Sequence, residues 1–410
     1  MKADGKEFSY YAPKSKEFAV PKQFRRLLPI SIICFVLFLL FGGPLNSNSN
    51  GWFTKKDTYF PRKIWQTWKV DPLGFGEKDL NLARTWTAKN PAYRYEVLTD
   101  QNDMAYVETH FGPSGFNRLD IVYMYRQLTA RIIKADLLRY LVMYVEGGVY
   151  TDIDVEALRP ATRFIPDRYD ERDVDMVIGV EIDQPEFSNH TILGQKCMSF
   201  CQWTFMCKPH LQVMLDLVEN ILVWLQDVAA EQRVPISEIQ LDFDQVISGT
   251  GPSAFTNAIL KDMSRRTGRT ITWDLFHAMT ESKLIGGTLV LTVEAFAAGQ
   301  GHSDSGNHDA KQALVKHHYH ASGWPTSHPR YNHPVLGEVE QCNWNWDCVM
   351  EWDEKKSAYE QLSPEEQQVE IDRVERDRAR EAEEREEEER RREEEEAREN
   401  GGQHDGEHRE

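Results

Sequence analysis

Positive charge is in short supply along this chain, and what there is does not gather in one place. Its 410 residues carry 48 Lys and Arg against 66 Asp and Glu, a formal net charge of −18. That balance excludes the basic footprint of a nucleic-acid-binding protein. The deficit is uneven. Residues 365–399 hold 18 acidic and 9 basic side chains, so half of the excess sits in one short segment. Cysteine is scarce as well, six in all, without the matched Cys-x-x-Cys pairs that a structural zinc site needs. Long apolar runs are missing except for residues 27–43, which hold no charged residue across 17 positions. With 40% hydrophobic and 11% aromatic residues, the chain can still bury a sizeable core, enough for one large domain or two ordinary ones.

The run at 27–43 is apolar on every side and at the short end for a membrane-spanning helix. It lies too far from the N-terminus, and lacks a clear cleavage site, for a signal peptide. Before it come Lys2, Lys6, Lys14, Lys16, Lys22, Arg25 and Arg26 against Asp4, Glu7 and Glu17. A basic flank stays in the cytosol, which predicts a single-pass type II membrane protein whose chain is lumenal beyond residue 44. So short a span suits the thin membranes of the early secretory pathway. The resulting map is a cytosolic basic tail (1–26), an anchor (27–43), a stem (44–60), a main folded unit (61–350) and a charged helix or disordered tail (363–400). In an oxidising lumen Cys342 and Cys348 can close a small loop, whereas spacing does not fix the pairing of Cys197, Cys201 and Cys207. Asn189-His190-Thr191 is the only glycosylation sequon.

Periodicity predicts strands at 63–68, 93–98, 149–151 and 175–180, and helices at 79–89, 129–145 and 210–228. Ile132, Ile133, Leu137, Leu141 and Tyr144 mark the apolar face of the second helix, and Gly147-Gly148 stops it. Alternating strands and helices predict an α/β layered domain with a largely parallel sheet, whose ligands bind at the carboxyl ends of strands. Near the C-terminus, Ser363-Pro364-Glu365-Glu366 is a capping box with proline at the first helical position. Pairs such as Asp372 with Arg376 and Glu381 with Arg385 would support a helix there. No apolar seam persists, which excludes a coiled coil.

The chemistry concentrates in Gly147-Gly148-Val149-Tyr150-Thr151-Asp152-Ile153-Asp154. Side chains alternate along a strand, so Asp152 and Asp154 should project to one side of a strand end, about 7 Å apart. Paired hard oxygens suit Mg²⁺ or Mn²⁺ carrying substrate phosphates. Asp136 and Arg139, three apart on a helix, share a face that can look toward this turn. A carboxylate there suits sugar hydroxyls, and a guanidinium suits a diphosphate. Glu181 follows a predicted strand and either orients a sugar or is an exposed loop acid. His317, His318 and His320 cluster near Trp324, and one of them could complete a metal site. Gln202 and Trp203 could line an acceptor side.

The run Ala135-Asp136-Leu137-Leu138-Arg139-Tyr140, followed by Gly147-Gly148-Val149-Tyr150 and Asp152-Ile153-Asp154, resembles the signature of glycosyltransferase family 32. Ile64-Trp65-Gln66-Thr67-Trp68-Lys69 resembles that family's first strand, and Ser248-Gly249-Thr250-Gly251-Pro252 its downstream Thr-Gly-Pro turn. The resemblance covers residues 61–330. With the basic tail and single span, it is similar to the family's fungal Golgi branch of initiation-specific α-1,6-mannosyltransferases. The family usually has His followed by Gly-Ser-Trp where this chain reads HHYHASGWP, with Ser322 and Gly323 exchanged.

The resemblance implies a GT-A type Rossmann-like fold, a divalent cation (Mn²⁺ or Mg²⁺), GDP-mannose as donor and retention of anomeric configuration. By position, Asp152 and Asp154 would hold the metal and do the catalytic work. Asp136, Arg139, Gln66, Trp68 and Gly148 would contact the donor. His318, His320 or Glu181 would supply a third ligand or an acceptor contact. The implied partners are a nucleotide sugar, a glycoprotein N-glycan acceptor and a complex of Golgi transferases. Retention with no evident carboxylate nucleophile favours front-face attack beside the leaving phosphate. The alternatives are mannosyl transfer to inositol phosphorylceramide, or a catalytically silent Golgi scaffold.

Overall fold

The computed structural model describes residues 59–321 and 328–404, with side chains as far as 394. The predicted anchor and most of the stem lie outside the described residues, as does Trp324 with the exchanged Ser322 and Gly323. Among the described residues no helix is long and apolar enough to cross a membrane. The compact unit runs from Tyr59 onward. In chain order it contains β1 (Lys63–Trp68), α1 (Glu77–Lys89), β2 (Arg94–Thr99), α2 (Asp103–Phe111), α3 (Leu119–Gln127), α4 (Arg131–Val145), β3 (Gly148–Thr151) and β4 (Val155–Ala157). Then come β5 (Met176–Asp183), β6 (Met198–Phe200), β7 (Thr204–Cys207), α5 (Gln212–Gln232), α6 (Phe243–Gly249) and α7 (Pro252–Thr267). The remainder comprises β8 (Lys283–Ile285), β9 (Thr288–Leu291), α8 (Val293–Phe296), β10 (Val315–His317), α9 (Trp346–Glu360) and α10 (Pro364–His404). Every helix and strand predicted within the described residues is present, displaced by a few residues at its ends.

The main sheet runs β2-β1-β3-β7-β5-β9-β8, with β6 also paired to β5. The expected largely parallel sheet is corrected here to a mixed one. β1 pairs in parallel with β2 and β3, and β5 with β9, but β7 is antiparallel to both β3 and β5. The cause lies in the connection after β5. Residues 184–197 contain a single 3₁₀ turn and no helix to carry the chain across the face of the sheet to a parallel return. The chain therefore comes back antiparallel, first as β6 beside the end of β5. It kinks at Cys201–Trp203 and continues as β7 between β5 and β3. The carboxyl ends of β1, β3 and β5 still share one edge, and the cavities described below open there.

Two glycines let β3 enter the sheet. Gly147 and Gly148 have φ of +62° and +100°, a region that L side chains avoid. A Cβ on Gly148 would stand 2.6 Å from the Lys63 carbonyl oxygen, and one on Gly147 2.8 Å from that of Cys207. The glycines thus turn the chain from α4 into a slot between β1 and β7. Gly148 sits at the end of β3 remote from the aspartates and lines neither cavity, which corrects its expected donor contact.

Most buried apolar side chains form one cluster around the sheet, with Trp86, Tyr140, Tyr150 and Phe205 nearly or fully buried. A smaller cluster of Phe187, Leu193, Cys197, Val339, Val349 and Trp352 ties α9 to the loop after β5. The Cys342–Cys348 disulfide forms, and Cys197, Cys201 and Cys207 are free and buried. Helix α10 spans 41 residues, about 60 Å at the α-helical rise. Its capping box is present, with Ser363 and Glu366 bonded reciprocally. The ion pairs recorded on it are i,i+3, Glu370–Arg373 and Asp377–Arg380, whereas Arg385 turns to the Glu381 carbonyl. Replacing Gly148 with Ala should lower stability by about 2–4 kcal/mol, from positive-φ strain plus overpacking. The urea midpoint of the purified chain measures this, and an unchanged midpoint would contradict the slot geometry.

Candidate active site

Asp152 and Asp154 lie just past β3, in a turn closed by the Val155 N–H donating to the Asp152 carbonyl at 3.2 Å. They are therefore turn residues, not the strand pair expected, although both line one cavity of about 520 Å³. The turn is pinned on three sides. Asp152 N–H donates to the Trp203 carbonyl at the β6–β7 kink. Trp86 Nε1, from the core face of α1, donates to the Val155 carbonyl at 2.8 Å. Gln66 Nε2 donates to the Asp152 carbonyl at 3.0 Å, while Gln66 Oε1 accepts from Tyr95. Gln66 is fully buried and spends its amide on the turn, which corrects its expected contact with the donor. Trp68, by contrast, lines the cavity and has a buried Nε1 without a partner.

Helix α4 supplies the charge that faces the turn. Arg139 donates to Asp136 Oδ1 at 2.6 Å and to Asp152 Oδ1 at 2.8 Å. Its Nε is buried without a partner. Tyr150 OH also donates to Asp152 Oδ1 at 2.8 Å. The second oxygen of Asp136 accepts from Thr250 Oγ1 at 2.7 Å. Thr250 is held in turn because Tyr140 OH bonds its carbonyl and because Pro252 starts α7 two residues later. Burial pushes Asp136 up to about 6 against the pull of Arg139 and Thr250. Burial opposes the Arg139 charge, yet Asp152 and its neighbours hold that guanidinium protonated well above its ordinary value.

Asp154 is fixed by the second, two-stranded sheet. β10 pairs antiparallel with β4, placing His317 opposite Val155. His317 Nε2 lies 3.2 Å from Asp154 Oδ1, and the N–H groups of His320 and Ala321 donate to Oδ2, each at 3.0 Å. Burial works against ionisation of Asp154, but the His317 bond and charge and the Ala321 amide outweigh it and hold the carboxyl at about 2. The His317 ring packs against Trp203 and Tyr319, with centroids 4.5 and 3.8 Å apart. His318 and His320, the expected third ligands, point elsewhere: their Nε2 atoms meet Glu156 at 3.0 Å and Asp79 at 2.8 Å. In the sequence His317 is one histidine of a cluster, and one residue of register decides which side chain faces Asp154.

Glu181 is no exposed loop acid. It lies within β5, is buried, and lines the same cavity. Its oxygens accept from Trp203 Nε1 at 2.8 Å and Ser199 Oγ at 3.3 Å. Burial raises its pKa despite those bonds. Gln202 and Trp203 line the cavity as well. A second cavity of about 1030 Å³ shares Thr67, Trp68, Ile132, Ala135 and Ala321 with the first.

Whether this turn suits a divalent cation follows from its donors. Both bonds to Asp152 fall on Oδ1, leaving Oδ2 for an ion. Among the described residues no group of three His, Cys, Asp or Glu side chains is placed to hold a metal. Asp154 Oδ2 already accepts two N–H groups and Oδ1 meets His317, so an ion here would draw on Asp152 Oδ2 and the remaining lone pair of Asp154 Oδ1, and complete its shell with phosphate oxygens and water. Mg²⁺ and Mn²⁺ accept that arrangement, so the residues present fit such an ion.

A family model for a glycosyltransferase sugar-binding region containing a DXD motif matches residues 76–171, which include Asp136, Arg139, Asp152 and Asp154. The chain is 30% identical over 283 residues to the initiation-specific alpha-1,6-mannosyltransferase of Schizosaccharomyces pombe, covering 66% of this chain and 67% of that protein. It is 27% identical to the Candida albicans protein of the same name over 284 residues, 64% of this chain and 72% of that one. Among solved structures, the PaToxG glycosyltransferase superposes with a TM-score of 0.34 at 16% identity, covering 51% of this chain and 72% of that one. With two-thirds of a 30%-identical relative matched, the chain belongs to the DXD-motif family of those two fungal mannosyltransferases, glycosyltransferase family 32, and is a hexosyltransferase.

Proposed function

We propose that this protein transfers mannose from GDP-mannose to an N-linked glycan in α-1,6 linkage, with retention, on a GT-A type scaffold in the Golgi lumen. One observation carries the reading: the Asp152–Asp154 turn and a buried Arg139 meet in a cavity that shares a wall with a second, larger one. The donor's nucleoside fills the larger cavity against Trp68, and its sugar lies in the smaller one. Family membership and the names of the matched relatives support mannose as the sugar. The basic tail, the apolar run and the Cys342–Cys348 disulfide support a lumenal catalytic unit.

The work of the chain's own groups follows from their placement. Asp152 and Asp154 would hold a divalent cation, which would supply Lewis-acid neutralisation of the leaving diphosphate. Arg139 aims Asp152 and keeps a positive charge beside the position of the leaving diphosphate. His317 and two backbone N–H groups keep Asp154 ionised across the working pH range. Glu181, with both oxygens already accepting, receives a sugar hydroxyl rather than attacking carbon. The acceptor hydroxyl oxygen therefore bonds to the anomeric carbon from the face that the phosphate leaves. The carbon–phosphate-oxygen bond breaks, and the acceptor proton passes to that phosphate oxygen. A mannosyl adduct trapped on Glu181 would replace this route with a two-step one.

Two measurements bear on the reading. With GDP-mannose, Mn²⁺ and an N-glycan acceptor, Asp152→Asn and Asp154→Asn should each lose about 10²- to 10³-fold in rate. A chelator should stop wild-type turnover, and full-speed transfer in its presence would remove the proposed role of the turn. The second concerns Asp136. The fold raises it from 3.8 to about 6, so its contribution to stability is complete below about 4 and is lost as pH rises through about 6. Asp136→Asn has no proton to lose there. The wild-type stability advantage over this variant should therefore shrink between pH 4 and 6, as followed by urea unfolding. A difference independent of pH would contradict the raised value.

A further inference from the structure

The smaller cavity has a wall that takes no part in the aspartate network, built from the loop after β5, the start of α6 and residues 330–344. Lys196 is buried there, donating to Asp244 Oδ1 at 2.8 Å and to Glu340 Oε1 at 2.6 Å. Arg330 lays its guanidinium 3.9 Å above the Phe243 ring and donates to Glu338 Oε2 at 3.2 Å. Glu340 Oε2 and Arg330 Nε are buried without a partner, although their side chains remain 18% and 17% exposed. Trp344 also lines the cavity. It sits inside the Cys342–Cys348 loop with φ of +62° and packs edge-on against Phe187 at 5.7 Å. The disulfide and the two positive-φ residues Asn343 and Trp344 hold the indole where it is.

Charge decides what this wall can take. Lys196 and Arg330 face Asp244, Glu338 and Glu340, two cations against three carboxylates. A phosphate would find both cations already neutralised and an uncompensated carboxylate beside them. A neutral polyol meets no such conflict: its hydroxyls donate to a carboxylate oxygen and accept from a guanidinium N–H, while a ring face lies on an indole. We propose that Arg330, Glu340 and Trp344 form the acceptor subsite and select a neutral oligosaccharide over an inositol-phosphate headgroup. This rests on the transferase reading above, for it assigns that reaction's second substrate.

The test is direct binding, which needs no turnover. The full-length chain in detergent, with GDP present, is titrated calorimetrically with a high-mannose oligosaccharide and separately with inositol phosphate. The oligosaccharide should bind, and inositol phosphate should not compete with it. Glu340→Gln and Trp344→Ala should each weaken oligosaccharide binding at least tenfold, with Trp344→Phe recovering most of the loss. The Kd for GDP should stay within twofold in all three, which also shows that they fold. Three results would overturn the assignment: wild-type affinity in both Glu340→Gln and Trp344→Ala, oligosaccharide and GDP binding lost together, or inositol phosphate competing as strongly as the sugar. A wild-type chain that binds the oligosaccharide but transfers nothing from GDP-mannose would sink the donor assignment and leave this wall's role supported.

Discussion

Arg139 is a guanidinium with a side-chain exposure of 5%, held between the carboxylates of Asp136 and Asp152, and the site depends on that arrangement. A buried cation is tolerated only while its partners are in place; removing one partner of such a pair typically costs about 3–5 kcal/mol. The three groups come from α4 and from the turn after β3, and Thr250 adds the approach to α7 through Asp136. One buried charge therefore fixes the relative position of three chain segments. The aspartate turn is preorganised before any substrate arrives, which is the condition under which electrostatic stabilisation of a leaving group is most effective.

That arrangement needs the sheet to be mixed. If the chain after β5 had crossed over to run parallel, no antiparallel strand would separate β3 from β5. The kink at Cys201–Trp203 would then not exist. The kink does two things at once. Its Trp203 carbonyl receives the Asp152 N–H, and its Trp203 indole holds Glu181. One irregular stretch between two short strands thus positions a turn carboxylate, Asp152, and a strand carboxylate, Glu181, around one cavity. Bulges and breaks next to functional sites commonly serve to re-aim side chains in this way.

Much of this was legible in the sequence because it is local. The helix at α4, the glycine pair, the strand that follows and the capping box at Ser363 are set by periodicity and turn chemistry over a few residues. Spacing marks Asp136, Arg139, Asp152 and Asp154, and all four line the smaller cavity. What escaped depends on contacts between distant segments. Gln66 reads as a polar residue near a strand end, and only the fold shows its amide consumed by the Asp152 carbonyl. Glu181 reads as an acid after an apolar run, because alternation does not reveal that the strand continues to Asp183 with its end covered. The histidines were found as a cluster, but their register against β4 selects His317 and sends His318 and His320 to Glu156 and Asp79. The parallel sheet was inferred from alternation alone, which says nothing of where the loop after β5 returns.

The two sides of the smaller cavity differ in electrostatic character, and the difference matches the two halves of a sugar transfer. Around the turn, Asp152 and Asp154 are carboxylates with one buried guanidinium nearby, an environment that an anionic diphosphate enters only together with a cation. Across Lys196, Arg330 and Glu340 the charges are internally paired, which leaves hydrogen-bonding capacity without a field that draws phosphate. On the proposed reading, a negatively charged leaving group and a neutral nucleophile face surfaces that do not compete for each other's ligand. Were the second wall net positive, the nucleoside diphosphate product could bind there and block the acceptor. Its internal pairing removes that misplacement, and it does so with Lys196 and Arg330 still available to hold Glu340 and Glu338 in position.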